Sequence, residues 1–154
     1  MKRFKKLAVL TLAMAMLASV LSVSVSASNI DRAYDFPVDS SVGYRRTTVH
    51  KKDDSSSAYV NHTGGVKQYI AIVYGGSYYG STGTDCTTYE YYSGSKRSPA
   101  IVTLGTKGYV HQDVYERYGA GYAELGGNPY IYTGYATGKW SPDSVNEDGC
   151  IRYN

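Results

Sequence analysis

The chain reads as an all-β protein, an antiparallel β-sandwich or flattened barrel of about seven short strands, and three observations carry that reading. First, its 18 tyrosines all lie beyond residue 27, where Leu, Ile, Val and Phe together number only 19. Tyr favours strands and buries a large ring while its hydroxyl reaches water or the backbone, so a Tyr-built sheet manages with few aliphatics. Second, the 17 glycines punctuate the same region so often that few helix-period segments survive between turns. Third, Val66 to Tyr74 (VKQYIAIVY) fills both side-chain parities after Gln68, as a central strand covered on both faces does.

In front of this region stands a leader. Lys2, Arg3, Lys5 and Lys6 precede an apolar run from Leu7 to Val25, and Val25 and Ala27 suit the −3 and −1 positions of a signal-peptidase site. Residues 1–27 are expected to be a cleaved secretory signal. An uncleaved anchor is the rival, since the run approaches the ~20 residues of a bilayer span, but Ser19, Ser22, Ser24 and Ser26 dilute its end. The formal +3 belongs to that leader; without it 12 bases face 13 acids. A nearly neutral product of one domain's size is a poor nucleic-acid binder, and it is expected outside the membrane.

Residues 28–39 read as a polar, extended lead-in anchored by Phe36 and Pro37, and residues 40–154 as a single β domain. Val42, Tyr44, Arg46 and Thr48 alternate with Gly43, Arg45, Thr47 and Val49 and predict a first strand. Lys51-Lys52-Asp53-Asp54 then predicts a solvated hairpin turn into a strand from Ser56 to His62, which Gly64-Gly65 ends. Val66 to Tyr74 belongs at the heart of the core. Gly75 to Gly83 is a Gly, Ser and Tyr-rich loop, and Thr84 to Tyr92 resumes a β pattern.

After a turn at Ser93 to Pro99, Ala100 to Leu104 is a short strand and Gly105-Thr106-Lys107-Gly108 a turn. Val110, Val114 and Tyr118 recur every fourth residue, Asp113 and Arg117 stand four apart, and Gly119 suits a helix terminator. One short helix is thus expected within residues 110–118, with a continued strand through Tyr109 and Tyr115 as the alternative. Tyr122 to Leu125 and Tyr130 to Ala136 are the closing strands, separated by a turn at Gly126-Gly127-Asn128-Pro129.

Cys86 and Cys150 are the two cysteines, and export favours pairing them. The bridge would close a loop of about 64 residues, worth roughly 4 kcal/mol in the chain-entropy model; two separate thiols are the alternative. Neither cysteine has the spacing of a zinc site.

Catalytic motifs are sought with little return. The chain has no Gly-x-Ser-x-Gly elbow, no His-Glu-x-x-His and no phosphate or dinucleotide loop, so no enzyme activity and no cofactor is expected. His50 and His62 could face each other across the first hairpin, with His111 elsewhere, but scattered histidines read as surface residues and no metal site is expected. A wall glycosidase needs two carboxylates about 5 to 9 Å apart in a cleft. Glu90, Glu116 and Glu124 are the candidates, Glu116 reading more simply as part of an ion pair with Arg117. The doublets Arg45-Arg46, Lys51-Lys52 and Lys96-Arg97 read as solvated edge charge that could touch anionic polymers. Tyr78, Tyr79, Tyr91 and Tyr92 lie in or beside loops where an aromatic platform for sugar rings could form, and Trp140, the sole tryptophan, is either a further ligand anchor or a plug closing one end of the sandwich.

The element Gly138-Lys139-Trp140-Ser141-Pro142-Asp143-Ser144, with Val114-Tyr115-Glu116 and Leu104-Gly105-Thr106-Lys107-Gly108-Tyr109, resembles an uncharacterised family of small exported proteins of Gram-positive bacteria that close on Gly-x-Trp-Ser-Pro-Asp-Ser. In style, though through no shared motif, the chain is similar to lactococcin-like bacteriocins, small exported Tyr-rich β-sandwiches acting on the cell envelope. The first resemblance implies no activity and the second transfers no residue. The expectation is an extracellular, non-enzymatic β-sandwich of a Gram-positive bacterium that binds a cell-wall polymer or the envelope of a competitor cell. A small wall hydrolase and a passive Tyr-rich matrix component are the alternatives.

Overall fold

A computed structural model describes residues 30–39, 46–88, 91–92, 96–97, 99–145 and 149–153. The leader, Val42 to Arg45 and Glu90 lie outside them, as do the side chains of Tyr91, Tyr92, Lys96 and Arg97. In chain order the elements are β1 (Arg32–Val38), β2 (His50–Lys52), β3 (Ala58–Gly65), β4 (Gln68–Gly76), β5 (Thr84–Asp85), β6 (Tyr91–Tyr92), β7 (Lys96–Arg97), β8 (Ala100–Thr103), β9 (Lys107–Val110), α1 (Val114–Tyr118), β10 (Gly121–Pro129), β11 (Gly134–Ser141) and β12 (Ile151–Arg152).

Two open sheets pack into a sandwich. One runs β1-β11-β3-β9-β12, the other β2-β10-β4-β5 with β8 also on β4, and β6 pairs with β7 apart from both. Among the described residues the pairings are antiparallel except β12 on β9. The expected class is therefore a sandwich and not a closed barrel, with more strands than foreseen because several are two residues long. β4 is the centre: Tyr69, Ala71 and Val73 are buried on one parity and Ile72 and Tyr74 on the other.

The lead-in turns out to be sheet. β1 alternates Tyr34, Phe36 and Val38 inward against Ala33, Asp35 and Pro37, and pairs along its whole length with β11. Tyr34 stacks on Phe36 at 5.1 Å between ring centroids, and Phe36 meets Tyr69 edge-on at 5.7 Å, so the aromatics supply what aliphatics do elsewhere.

The predicted turn at Gly126-Gly127-Asn128-Pro129 is instead the second half of β10, in register with β4 from Gly126↔Ile72 to Pro129↔Tyr69. The glycines are there to admit rings: a Cβ at Gly126 would lie 2.8 Å from the Tyr74 ring, and one at Gly127 2.5 Å from the Phe36 ring. The chain reverses later, between Pro129 and Gly134.

The first hairpin does not form either. β2 belongs to the β10 sheet and β3 to the β11 sheet, so the segment between them crosses the sandwich. Of the expected first strand, the described part touches β10 through the Arg46↔Gly126 bridge and Thr47. Lys52, expected in a solvated turn, is fully buried. The helix forms over Val114–Tyr118 with Gly119 at its C-terminal end, and Arg117 pairs with Asp113 at 2.7 Å.

Candidate functional site

β4 and β10 run antiparallel with Gly76 opposite Tyr122, so one end of the sandwich gathers the 77–83 loop, the start of β10 and α1. The crossing segment 53–57 reaches the same end, because Lys52 pairs with Gly121. There the structure carries two features that can meet a ligand.

The first is aromatic. Tyr78 and Tyr79 are 66% and 70% exposed on the loop joining β4 to β5, and Tyr79 meets Tyr122 edge-on at 6.1 Å. The loop is built rather than slack. Ser81 Oγ accepts the Tyr78 amide at 3.0 Å and donates to the Tyr78 carbonyl at 2.8 Å, and Gly80 takes φ +95°. Arg46 ties its base to the sheet: the guanidinium donates to the Thr82 carbonyl, lies 3.6 Å from the centroid of the Tyr74 ring and reaches Glu124 at 3.3 Å.

The second is a polar pocket of about 480 Å³ lined by Ser55, Ser56, Ser57, Tyr109, His111, Ser144 and Arg152. Ser57 Oγ lies 3.1 Å from His111 Nδ1, and the Tyr109 hydroxyl donates to the Val145 carbonyl at 2.8 Å. Hydroxyls, an imidazole and a guanidinium around one space suit a polyhydroxylated or anionic ligand. A buried brace holds the serine wall. Asp143 accepts Lys52 Nζ at 2.6 Å and the Asp53 amide at 3.1 Å, while the Ser56 carbonyl accepts from Lys52 Nζ at 2.6 Å and from Gln112 Nε2 at 2.7 Å.

Several expected site residues lie elsewhere. Trp140 is fully buried, packed beside His50 at 5.7 Å, so it is core and not a ligand anchor. His50 and His62 stand in different sheets and do not pair: His62 is buried against Tyr69 at 5.1 Å, with Nε2 2.7 Å from the Val66 carbonyl. Among the described residues no group of three His, Cys, Asp or Glu is placed to hold a metal. Glu116 is exposed on α1, Arg117 having taken Asp113 as its partner, and Glu124 is engaged by Arg46. Lys51 reaches Asp53 at 2.6 Å.

The expected Cys86–Cys150 bridge is not formed; both are free thiols. Cys86 is bonded through its carbonyl to the Asp113 amide, whereas Cys150 precedes Ile151, which stands beside Gly108. The two thiols therefore sit against different neighbours, Cys86 beside the start of α1 and Cys150 at the head of β12. Burial raises the Cys86 thiol to about 11, so it is protonated and unreactive.

Tyr122, the serine wall and Arg152 were not singled out by sequence, and neither was the exposed run Tyr130, Ile131, Tyr132 and Tyr135 at the opposite end of β10. The run Tyr-Ile-Tyr could have been read as a tip once the preceding glycines were placed in a strand. The pocket had no local signal, because its residues come from four separate segments.

The fold and these features define an all-β sandwich presenting exposed tyrosines and a hydroxyl-rich pocket at one end. The chain belongs to the family described as protein of unknown function DUF2712, whose model matches residues 21–144. No curated protein and no solved structure matches it.

Proposed function

We propose that this is an exported, non-enzymatic module that binds a polymer of the Gram-positive cell envelope through the end of the sandwich bearing Tyr78, Tyr79 and Tyr122. The observation that carries the reading is the exposure of Tyr78 and Tyr79 on an internally bonded loop, in a protein that buries Tyr34, Tyr59, Tyr69, Tyr74 and Tyr153. Large apolar rings left in water on an ordered loop are what stacking on sugar rings requires. The pocket at the same end adds groups that suit hydroxyl or anionic substituents. A bacteriocin-like effect on competitor cells is the same binding carried to another cell's envelope. Incubating the purified protein with isolated peptidoglycan, wall polymers and live indicator strains tests the reading; absence of both binding and growth effect would sink it.

The passive matrix reading has one observation of its own: exposed tyrosines occupy both ends of β10, Tyr78 and Tyr79 at one and Tyr130, Tyr132 and Tyr135 at the other. Oxidative coupling at two ends would link copies into chains. Dityrosine fluorescence in the producing culture distinguishes this from simple binding.

A further inference from the structure

Lys52 and Asp143 have no solvent-exposed side-chain surface, and Nζ lies 2.6 Å from Oδ1. They come from opposite layers. Lys52 ends β2 in one sheet, and Asp143 lies two residues beyond β11 in the other. A buried ion pair loses the hydration of both charges, and the Coulomb attraction only partly restores it. Burial accordingly raises the Asp143 carboxyl above its ordinary value despite the pull of Lys52, which favours the uncharged acid.

An amino group held against a carboxyl, neither side chain exposed to solvent, brings together the two reactants of amide formation, and the surrounding groups match the other needs of that reaction. Asp143 Oδ2 accepts the Asp53 amide at 3.1 Å and Oδ1 the Asp54 amide at 3.4 Å, so backbone donors already face the oxygens on which negative charge would develop. A second carboxylate stands by the amine: Asp54 Oδ1 is 3.4 Å from Lys52 Nζ and is held by the Ser56 amide at 2.8 Å. Partial burial acts to raise Asp54, but hydrogen bonds from Ser56 and the Lys52 charge outweigh it and keep Asp54 below the usual carboxylate range. The site therefore offers an acid as electrophile and a carboxylate as base.

We propose that Lys52 and Asp143 condense within the folded chain to an amide cross-link between the two sheets. One ammonium proton passes from Nζ to Asp143 across the 2.6 Å contact, leaving a neutral amine beside a neutral acid; the Nζ lone pair then attacks Asp143 Cγ, forming the C–N bond, as Asp54 takes a second proton from the nitrogen. The Cγ–OH bond then breaks, Asp54 returns the proton to the departing hydroxyl, and one water leaves. No oxidant, nucleotide or metal enters the balance. Fixed proximity supplies the driving term, because bringing amine and acid together in solution carries the entropy that folding has already spent. The product keeps the local bonding: its N–H can still donate to the Ser56 carbonyl and its C=O can still accept from Asp53. The tie would join residues 91 positions apart, in a protein whose cysteines are unpaired.

Intact-mass spectrometry of the purified, folded protein tests this, with the N-terminus fixed by peptide mapping. The expected mass is lower than that of the sequence by one water, and digestion should yield a branched peptide joining Lys52 to Asp143. Cyclisation at Asp148-Gly149 also loses a water, but it leaves a linear peptide that hydroxylamine cleaves. A water loss mapped there alone counts against the proposal. Lys52→Arg and Asp143→Ala should restore the full mass, and Asp54→Asn should slow formation by at least tenfold. Should these variants fail to fold, the wild-type protein decides: a folded sample that keeps its full mass after prolonged incubation overturns the proposal.

Discussion

Gly127 lies against the edge of Phe36 so closely that a Cβ at that position would stand 2.5 Å from Phe36 Cε2 and 3.0 Å from Tyr69 Cδ2. The residue that resembles turn punctuation in the sequence is the space into which the aromatic core fits.

Gly127→Ala should therefore destabilise by about 1–3 kcal/mol, the usual cost of overpacking a rigid core. Gly83→Ala is the control, since a Cβ there meets nothing within 4 Å; it should stay within about 0.5 kcal/mol of the parent. Urea unfolding curves with equal slopes compare the two.

Trp140 is the only tryptophan and is fully buried, so its fluorescence reports the core alone. Acrylamide should quench it weakly in the native state and strongly in urea. Trp140→Ala should cost about 3–5 kcal/mol. Saturating the protein with a bound wall polymer should leave the emission maximum unchanged.

His50 links stability to pH. Burial, and secondarily the charge of Arg32, lower its folded-state value from 6.5. The unfolded chain then binds more protons than the fold, so stability is lost as pH falls below about 6.5 toward the folded value and is recovered as pH rises. Thermal midpoints measured between about pH 7.5 and about pH 5.5 should fall in the parent and fall less in His50→Gln.

The sandwich class, the central strand, the short helix with its Asp113–Arg117 pair and the Ala100–Thr103 strand were legible because each is a local pattern. What failed was non-local. Glycines in β10 resemble a turn in the sequence because the rings that need the room lie up to 91 residues away, at Phe36. Lys52 looks solvated in the sequence because its partner Asp143 comes from the far end of the domain, and the same separation turns an expected hairpin into a crossover. Of the aromatic platform, Tyr78 and Tyr79 are exposed, whereas Trp140 is core.

Arg46 positions the tyrosine loop through Thr82, Tyr74 and Glu124. Arg46→Ala should speed amide hydrogen exchange in residues 77–83 while leaving β8 and β9 protected. If the loop is what binds, affinity for the wall polymer should drop by roughly tenfold, equivalent to about 1.4 kcal/mol.

Cosedimentation with isolated, protein-free Gram-positive cell wall tests the central claim most directly, comparing the parent with Tyr78→Ala/Tyr79→Ala. Both side chains are exposed, so the variant should unfold within about 0.5 kcal/mol of the parent. The parent is predicted to pellet with the wall in a saturable manner and the variant to stay in the supernatant. Equal pelleting of the two, or a parent that does not pellet, would contradict the account.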